Sequence, residues 1–187
     1  LKGQVVKIDL LNKSNSYINL IKKHNPDIIV LLPDTQTLPN ALEVVKANKG
    51  NLPVLAGDDV YSSTTLKEGK EKAKGMIVAV PWDIDLHRET RFVKGSKDIW
   101  GERDVNWRTA MSYDATKALI AAIKKNPTRE GVAQVLRSNN FQIDKDKLAT
   151  GEVKFSDNGD RQNPKIQLVK IESDPKSKYG YDFKPIP

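Results

Sequence analysis

The sequence predicts an α/β fold: an open, mostly parallel sheet with helices on both faces, followed by a helix pair and closing β-strands. Three observations lead there. Short runs rich in β-branched residues alternate with stretches of helical period through the first half of the chain. The runs at 28–32 and 76–80 are continuously apolar, as in strands buried on both faces of a parallel sheet. The second half changes character, with one long helical pattern, a shorter one, and then two short strand-like runs.

Taken in order, 4–10 (QVVKIDL) is a strand by its Val and Ile content. Asn15 or Ser16 can cap a helix that places Tyr17, Leu20 and Ile21 on one face. Asn25-Pro26 stops it, because the residue before proline avoids the α region. The run 28–32 is the second strand. A helical stripe follows at Leu38, Ala41, Leu42, Val44 and Val45, with Gly50 as its stop. Strand 53–56, a polar helix over 64–74 ended by Gly75, and strand 76–80 complete the alternation.

Residues 81–103 form a long connector of mixed charge and little periodicity. The best helical pattern lies within 104–125, with Met111, Ala115, Ala118, Leu119, Ala122 and Ile123 as its apolar stripe. Thr128 can cap a second helix that turns Val132, Val135 and Leu136 inward. Runs 152–155 and 166–171 are two strands, separated by the turn-forming Asp157-Asn158-Gly159-Asp160. The segment 173–187, with three Pro, is expected to be loosely held.

Composition removes several functions. The 187 residues include no Cys and only two His, which excludes disulfides, thiolate chemistry and multi-His metal sites. The formal charge is +7, yet its 31 basic residues are mixed with 24 acidic ones and form no cluster of the kind that binds nucleic acid. No apolar run approaches the ~20 residues of a membrane-spanning helix. Phosphate-cradling glycine motifs and nucleophile elbows are absent, so no cofactor is expected and an enzyme of doubly wound fold is only a distant alternative.

What remains are strand ends. In open α/β sheets, ligands bind beyond the carboxyl ends of the strands. Asp58, Asp59 and Tyr61 follow the third predicted strand directly, a composition suited to a cationic or amine group beside an aromatic wall; a solvated loop with a helix cap fits the same residues. Asp34 and Trp82 follow neighbouring strands in the same way. Trp100, Trp107, Arg108 and Tyr113 could form a stacking surface, or a hydrophobic patch over the connector. His24 sits at a helix end and His87 in the connector, neither with a predicted role.

Four stretches in this order resemble the type I periplasmic solute-binding proteins of ABC importers, in the branched-chain amino-acid-binding group. They are 17–32 (YINLIKKHNPDIIVLL), 52–61 (LPVLAGDDVY), 73–81 (AKGMIVAVP), and 110–123 (AMSYDATKALIAAI) with 151–171. The resemblance implies a two-lobed protein about twice this length that closes on a ligand, and a chain that starts within its second lobe. It implies a lobe-two α/β domain at 1–82, a connector or hinge at 83–103, a helical segment at 104–150 that packs on lobe one, and closing strands and tail at 151–187.

It also implies ligand contacts at Asp58, Asp59, Tyr61, Trp82 and Tyr113, an amino acid or similar small polar ligand, a membrane permease as partner, and a periplasmic or extracellular location. No metal and no nucleic acid belong to it. The extracellular sensing domain of a receptor or regulator is the alternative on the same fold. With lobe one lacking, either the chain is a piece of a longer one or another chain completes it, a homodimer through the exposed helices of 111–139 being one way to do so. Lys74 stands where amino-acid-binding members carry an acidic residue that pairs with the ligand ammonium, so Asp58 or Asp59 would have to take that part.

Overall fold

The computed structural model describes residues 3–11, 16–101 and 105–187. The chain divides into two units, Leu1–Val80 with Leu168–Pro187, and Pro81–Gln167.

In the first unit, α1 (Tyr17–His24) ends at Asn25, which takes a left-handed conformation at φ 41° and donates its N–H to the Ile21 carbonyl. Ser16 is its N-cap residue, without a side-chain capping bond, and Asn15 lies outside the described residues. Strand β1 (Ile29–Leu31), helix α2 (Leu38–Asn48), strand β2 (Val54–Ala56), helix α3 (Ser63–Gly69) and strand β3 (Ile77–Val80) then follow the predicted alternation. A 3-10 turn at Lys70–Ala73 extends α3, and Gly75, at φ 84°, admits the reversal into β3.

The sheet has five strands in the order β1-β2-β3-β4-β5, where β4 is Gln167–Ser173 and β5 is Tyr181–Pro185. β1, β2 and β3 run parallel; β4 and β5 form an antiparallel pair with Ile171 opposite Phe183. The core is one cluster. Leu38, Ala41, Leu42 and Val45 of α2 and Leu66 of α3 pack on Leu31, Val54, Ala56, Val78, Val80, Val169, Ile171 and Phe183 of the strands.

Three expectations are corrected here. Residues 4–10 form no strand; 4–9 are exposed, and only Leu10 reaches the core, its carbonyl accepting from Asn40 Nδ2 at 2.7 Å. β-propensity expresses itself only against a partner strand, and none lies beside this segment among the described residues. The 28–32 run is buried on one face alone: Leu31 is 4% exposed, Val30 54% and Leu32 76%. The tail is not loose, because Tyr181–Pro185 is a strand whose Phe183 enters the core.

In the second unit, the connector contains helix α4 (Arg91–Trp100), which the charge pattern conceals. Thr90 caps it by accepting from the Val93 N–H at 3.3 Å, and Phe92, Val93 and Ser96 are its buried side. Helix α5 (Trp107–Lys125) is capped by Asn106, whose side chain accepts from the N–H groups of Arg108 and Thr109. Its buried line is Ala110, Asp114, Ala118 and Ala122, a correction of the predicted stripe. Small residues let the helix approach its neighbours closely, and Leu119, Ile120 and Ile123 are left about half exposed.

Helix α6 (Arg129–Arg137) starts at the predicted cap, Thr128, which accepts from Gly131 N–H at 3.0 Å. Val135 and Leu136 pack against a cluster of Ala118, Phe141, Leu148 and Val153. Residues 152–155 are not a strand; a single antiparallel bridge joins Phe155 to Arg161 around the Asn158-Gly159 turn, where Gly159 takes φ 90°.

Candidate functional site

The strand ends of the first unit carry the candidate site. β1 and β2 are in register at Leu31 and Ala56, so the residues after them emerge side by side at one edge. Gly57 follows β2 and donates its N–H to the Leu31 carbonyl at 2.9 Å. A Cβ at this position would stand 3.3 Å from Leu32 Cδ2, so glycine keeps the two strand ends close. A 3-10 turn at Asp58–Val60 comes next, closed by Val60 N–H to the Gly57 carbonyl (3.1 Å) and Tyr61 N–H to the Asp58 carbonyl (3.0 Å). Val60, 1% exposed, plugs into the core and anchors the turn; Asp58 and Asp59, which precede that anchor, are half-buried at the edge.

Tyr61 is also half-buried, and its ring stacks on Phe183 at 4.3 Å between centroids, so one face of the predicted aromatic wall is already used by β5. Asp34, at the end of β1, is committed to the start of α2. Its carboxylate accepts from Thr37 Oγ1 (2.7 Å), Thr37 N–H (2.8 Å) and Gln36 N–H (2.9 Å). The Thr37 hydroxyl above all, then the Thr37 and Gln36 amides, hold this carboxyl below its usual range. Lys74 precedes β3 at the opposite end of the sheet from this edge and pairs with Glu71 at 3.8 Å. Its ammonium is thus engaged by Glu71 rather than directed at the Asp58–Tyr61 turn.

Trp82 and Tyr113 belong to the second unit. Trp82 is 1% exposed; its indole N–H donates to the Ala149 carbonyl at 3.0 Å, and its ring stacks on His87 and meets Phe92 edge-on. Such a ring is core, with no free surface for a ligand. His87, without a predicted partner, donates Nδ1–H to the Asp83 carbonyl at 2.6 Å. Tyr113 is half-buried against Phe92 at 4.9 Å, with Lys117 Nζ 5.1 Å from its ring centroid. Trp107 and Tyr113 both pack on the Trp82 cluster, whereas Trp100 is 47% exposed, so the aromatic residues of 100–113 divide between core and surface.

Sequence reasoning missed Asp114. It is 2% exposed on α5 and accepts from Ala149 N–H (2.7 Å), Thr150 N–H (2.9 Å) and the Thr150 hydroxyl. A lone aspartate between Met111 and Ala115 gives no period signal, so only the fold reveals its partners. Among the described residues no group of His, Asp and Glu could hold a metal ion, and no helix is long and apolar enough to cross a membrane.

Comparison with known proteins agrees with this architecture. The leucine-binding protein of Thermotoga maritima is 20% identical, matches 89% of this chain and 46% of its own, and superposes with a TM-score of 0.70. The leucine-, isoleucine-, valine-, threonine- and alanine-binding protein of Brucella ovis, in its closed conformation, is 17% identical over 91% of this chain and 45% of its own, with a TM-score of 0.70. An ABC-transporter solute-binding protein of R. palustris, in complex with benzoate, is 15% identical over 97% of this chain and 49% of its own, with a TM-score of 0.67. At these identities the likeness shows the fold. The chain spans about half the length of the solved structures it matches. No curated protein matches it. The family model described as periplasmic binding protein matches residues 11–176, and the chain belongs to that family.

Proposed function

We propose that this chain is part of the solute-binding receptor of an ABC importer, and that it carries one half of a ligand cleft. The observation that supports this best is the Asp58–Asp59–Tyr61 turn at the carboxyl end of β2, within a fold shared with solute receptors. Its work is reversible binding: a ligand that bridges two lobes favours the closed form by its differential affinity for that form. Asp58 and Asp59 offer carboxylates to an ammonium group, and the Tyr61 ring offers an aromatic wall to the ligand's apolar part. An amino acid meets both requirements. Proteins of the same fold bind leucine or benzoate, and two carboxylates at the edge favour the cationic choice over the purely anionic one. The expected location is periplasmic or extracellular, with a membrane permease reading the closed form. Trp82 and Tyr113 support the second unit from inside rather than touching ligand.

An isolated half-cleft binds weakly, so the test is amide chemical-shift mapping at high ligand concentration. Leucine, or a basic amino acid, is expected to shift the amides of residues 57–61, with a dissociation constant of about 1 mM or weaker. Asp59→Asn should remove the effect for amino acids, and benzoate should give none. Micromolar binding by this chain alone, or shifts confined to other residues, would sink the half-cleft reading.

A further inference from the structure

One turn of the second unit holds a reactive pair, and we infer from its geometry that Asn158 is a site of spontaneous deamidation in the folded protein. Of all the asparagines in the chain, only Asn158 is followed by glycine. A glycine nitrogen reaches the preceding Cγ with no Cβ of its own in the way, and the attack closes an unstrained five-membered ring. The pair lies at the tip of the turn that the Phe155–Arg161 bridge closes, and Asn158, Gly159 and Asp160 are exposed. Gly159 takes φ 90°, and a Cβ built on it would meet no atom within 4 Å beyond its chain neighbours. Nothing packed against the tip therefore hinders the approach.

The turn also holds the Asn158 side chain. Its Oδ1 accepts from the Asp160 N–H at 3.2 Å and from the Ser156 hydroxyl, and its Nδ2 donates to Asp160 Oδ2 at 2.8 Å. The Ser156 hydroxyl also stands 3.0 Å from the Asp160 carbonyl, so its one proton is shared between two acceptors. Both donors at Oδ1 face the atom on which negative charge develops when Cγ becomes tetrahedral, the arrangement that stabilises an oxyanion. One bond opposes the reaction: Gly159 N–H donates to the Ser156 carbonyl at 2.9 Å and must be released before the nitrogen can attack. At the exposed tip of a turn such local opening costs little. Every bond named here joins residues within 156–160, so the geometry is set by the turn itself.

Water is the only co-reactant. Gly159 N gives up its proton and attacks Asn158 Cγ; the N–Cγ bond forms and the Cγ–Nδ2 bond breaks. The proton is returned through solvent to Nδ2, which leaves as ammonia with the electron pair of the broken bond. Water then opens the cyclic imide at either carbonyl, giving aspartate or, with the backbone rerouted through Cγ, isoaspartate. The product replaces a donor to Asp160 with a third carboxylate beside Asp157 and Asp160, so a bonded tip becomes one of three like charges.

The test is incubation of the intact folded chain in mildly alkaline buffer, read by released ammonia, ion-exchange charge variants and peptide mapping for isoaspartate. Asn158 is expected to convert ahead of every other asparagine, with loss of ammonia and gain of one negative charge per chain. Asn158→Gln, whose longer side chain would have to close a larger ring, should abolish the release and keep the parent's far-UV spectrum. Ser156→Ala removes one donor at Oδ1 and should slow conversion about tenfold, less than the roughly hundredfold that such a donor contributes in a water-excluded site. A native chain that keeps Asn158 as the amide while the urea-unfolded chain converts it would overturn the proposal, since the fold would then protect the pair. So would ammonia release that persists in Asn158→Gln, or a Ser156→Ala chain that converts at the parent's rate.

Discussion

Asp114 holds three acceptor bonds on a carboxylate that is almost fully buried, tying α5 to the 149–150 backbone. Its removal leaves the buried Ala149 N–H and the part-buried Thr150 N–H without this acceptor, and each such group carries a desolvation cost. Asp114→Ala should therefore lower the stability of the second unit by about 3 kcal/mol, read from a urea midpoint shift at unchanged slope. Asp114→Asn should recover little, because its amide nitrogen would face one of those N–H donors. The contrast with Asp58 and Asp59 shows how far single residues are legible in a sequence. Those two follow a strand and a glycine, so their position at a strand end can be read directly. Asp114 stands inside a helical pattern, and its meaning depends on a loop 35 residues away. Trp82 makes the same point from the other side: a strand-end position suggested a ligand contact, and a partner at Ala149 turns it into core.

Helices in this chain begin where short polar side chains can take up the first amides. Thr90, Asn106 and Thr128 do so for α4, α5 and α6, while Asp34 does so from outside α2. The Asp34 carboxyl is held below its usual range by donors that favour its charged form. Its contribution is fully present above the ordinary carboxylate pKa near 4 and is lost as pH falls through the lower folded value. Proton exchange in the first turn of α2 should quicken across that window, and Asp34→Ala should show the fast exchange already at neutral pH. Gly131 offers a steric test at the start of α6. A Cβ there would come within 1.9 Å of the Asn126 side chain, so Gly131→Ala should destabilise by about 1–2 kcal/mol despite its better helix propensity. Thermal unfolding of Gly131→Ala alone and with Asn126→Ala separates the clash from propensity, since the double variant should recover most of the loss. Elements with a local signal were legible: the alternation from α1 to β3 and the cap at Thr128. α4 was not, because its apolar residues are few and its charges mixed. β5 was not, because its strand character comes from pairing with β4 and from Phe183 entering a distant core.

At the scale of the molecule, the first unit is built from both ends of the chain and the second from its middle. The three tryptophans, at 82, 100 and 107, all lie in the second unit, so indole fluorescence follows that unit alone. Phe183, 5% exposed, fills the first core from the last strand. Phe183→Ala should cost the first unit about 3–4 kcal/mol and release the ring of Tyr61, visible as a weakened tyrosine signal in near-ultraviolet circular dichroism. The tryptophan transition should keep its midpoint; a midpoint that moves equally would mean that the two units unfold as one. The discontinuity also bears on how the chain is made. Ribosomes deliver residues in order, and β3 emerges with the edge that awaits β4 still bare. All of the second unit is synthesised before β4 and β5 arrive to close the sheet, so the middle of the protein can finish folding while its first portion waits, exposed, for the last strands to be translated.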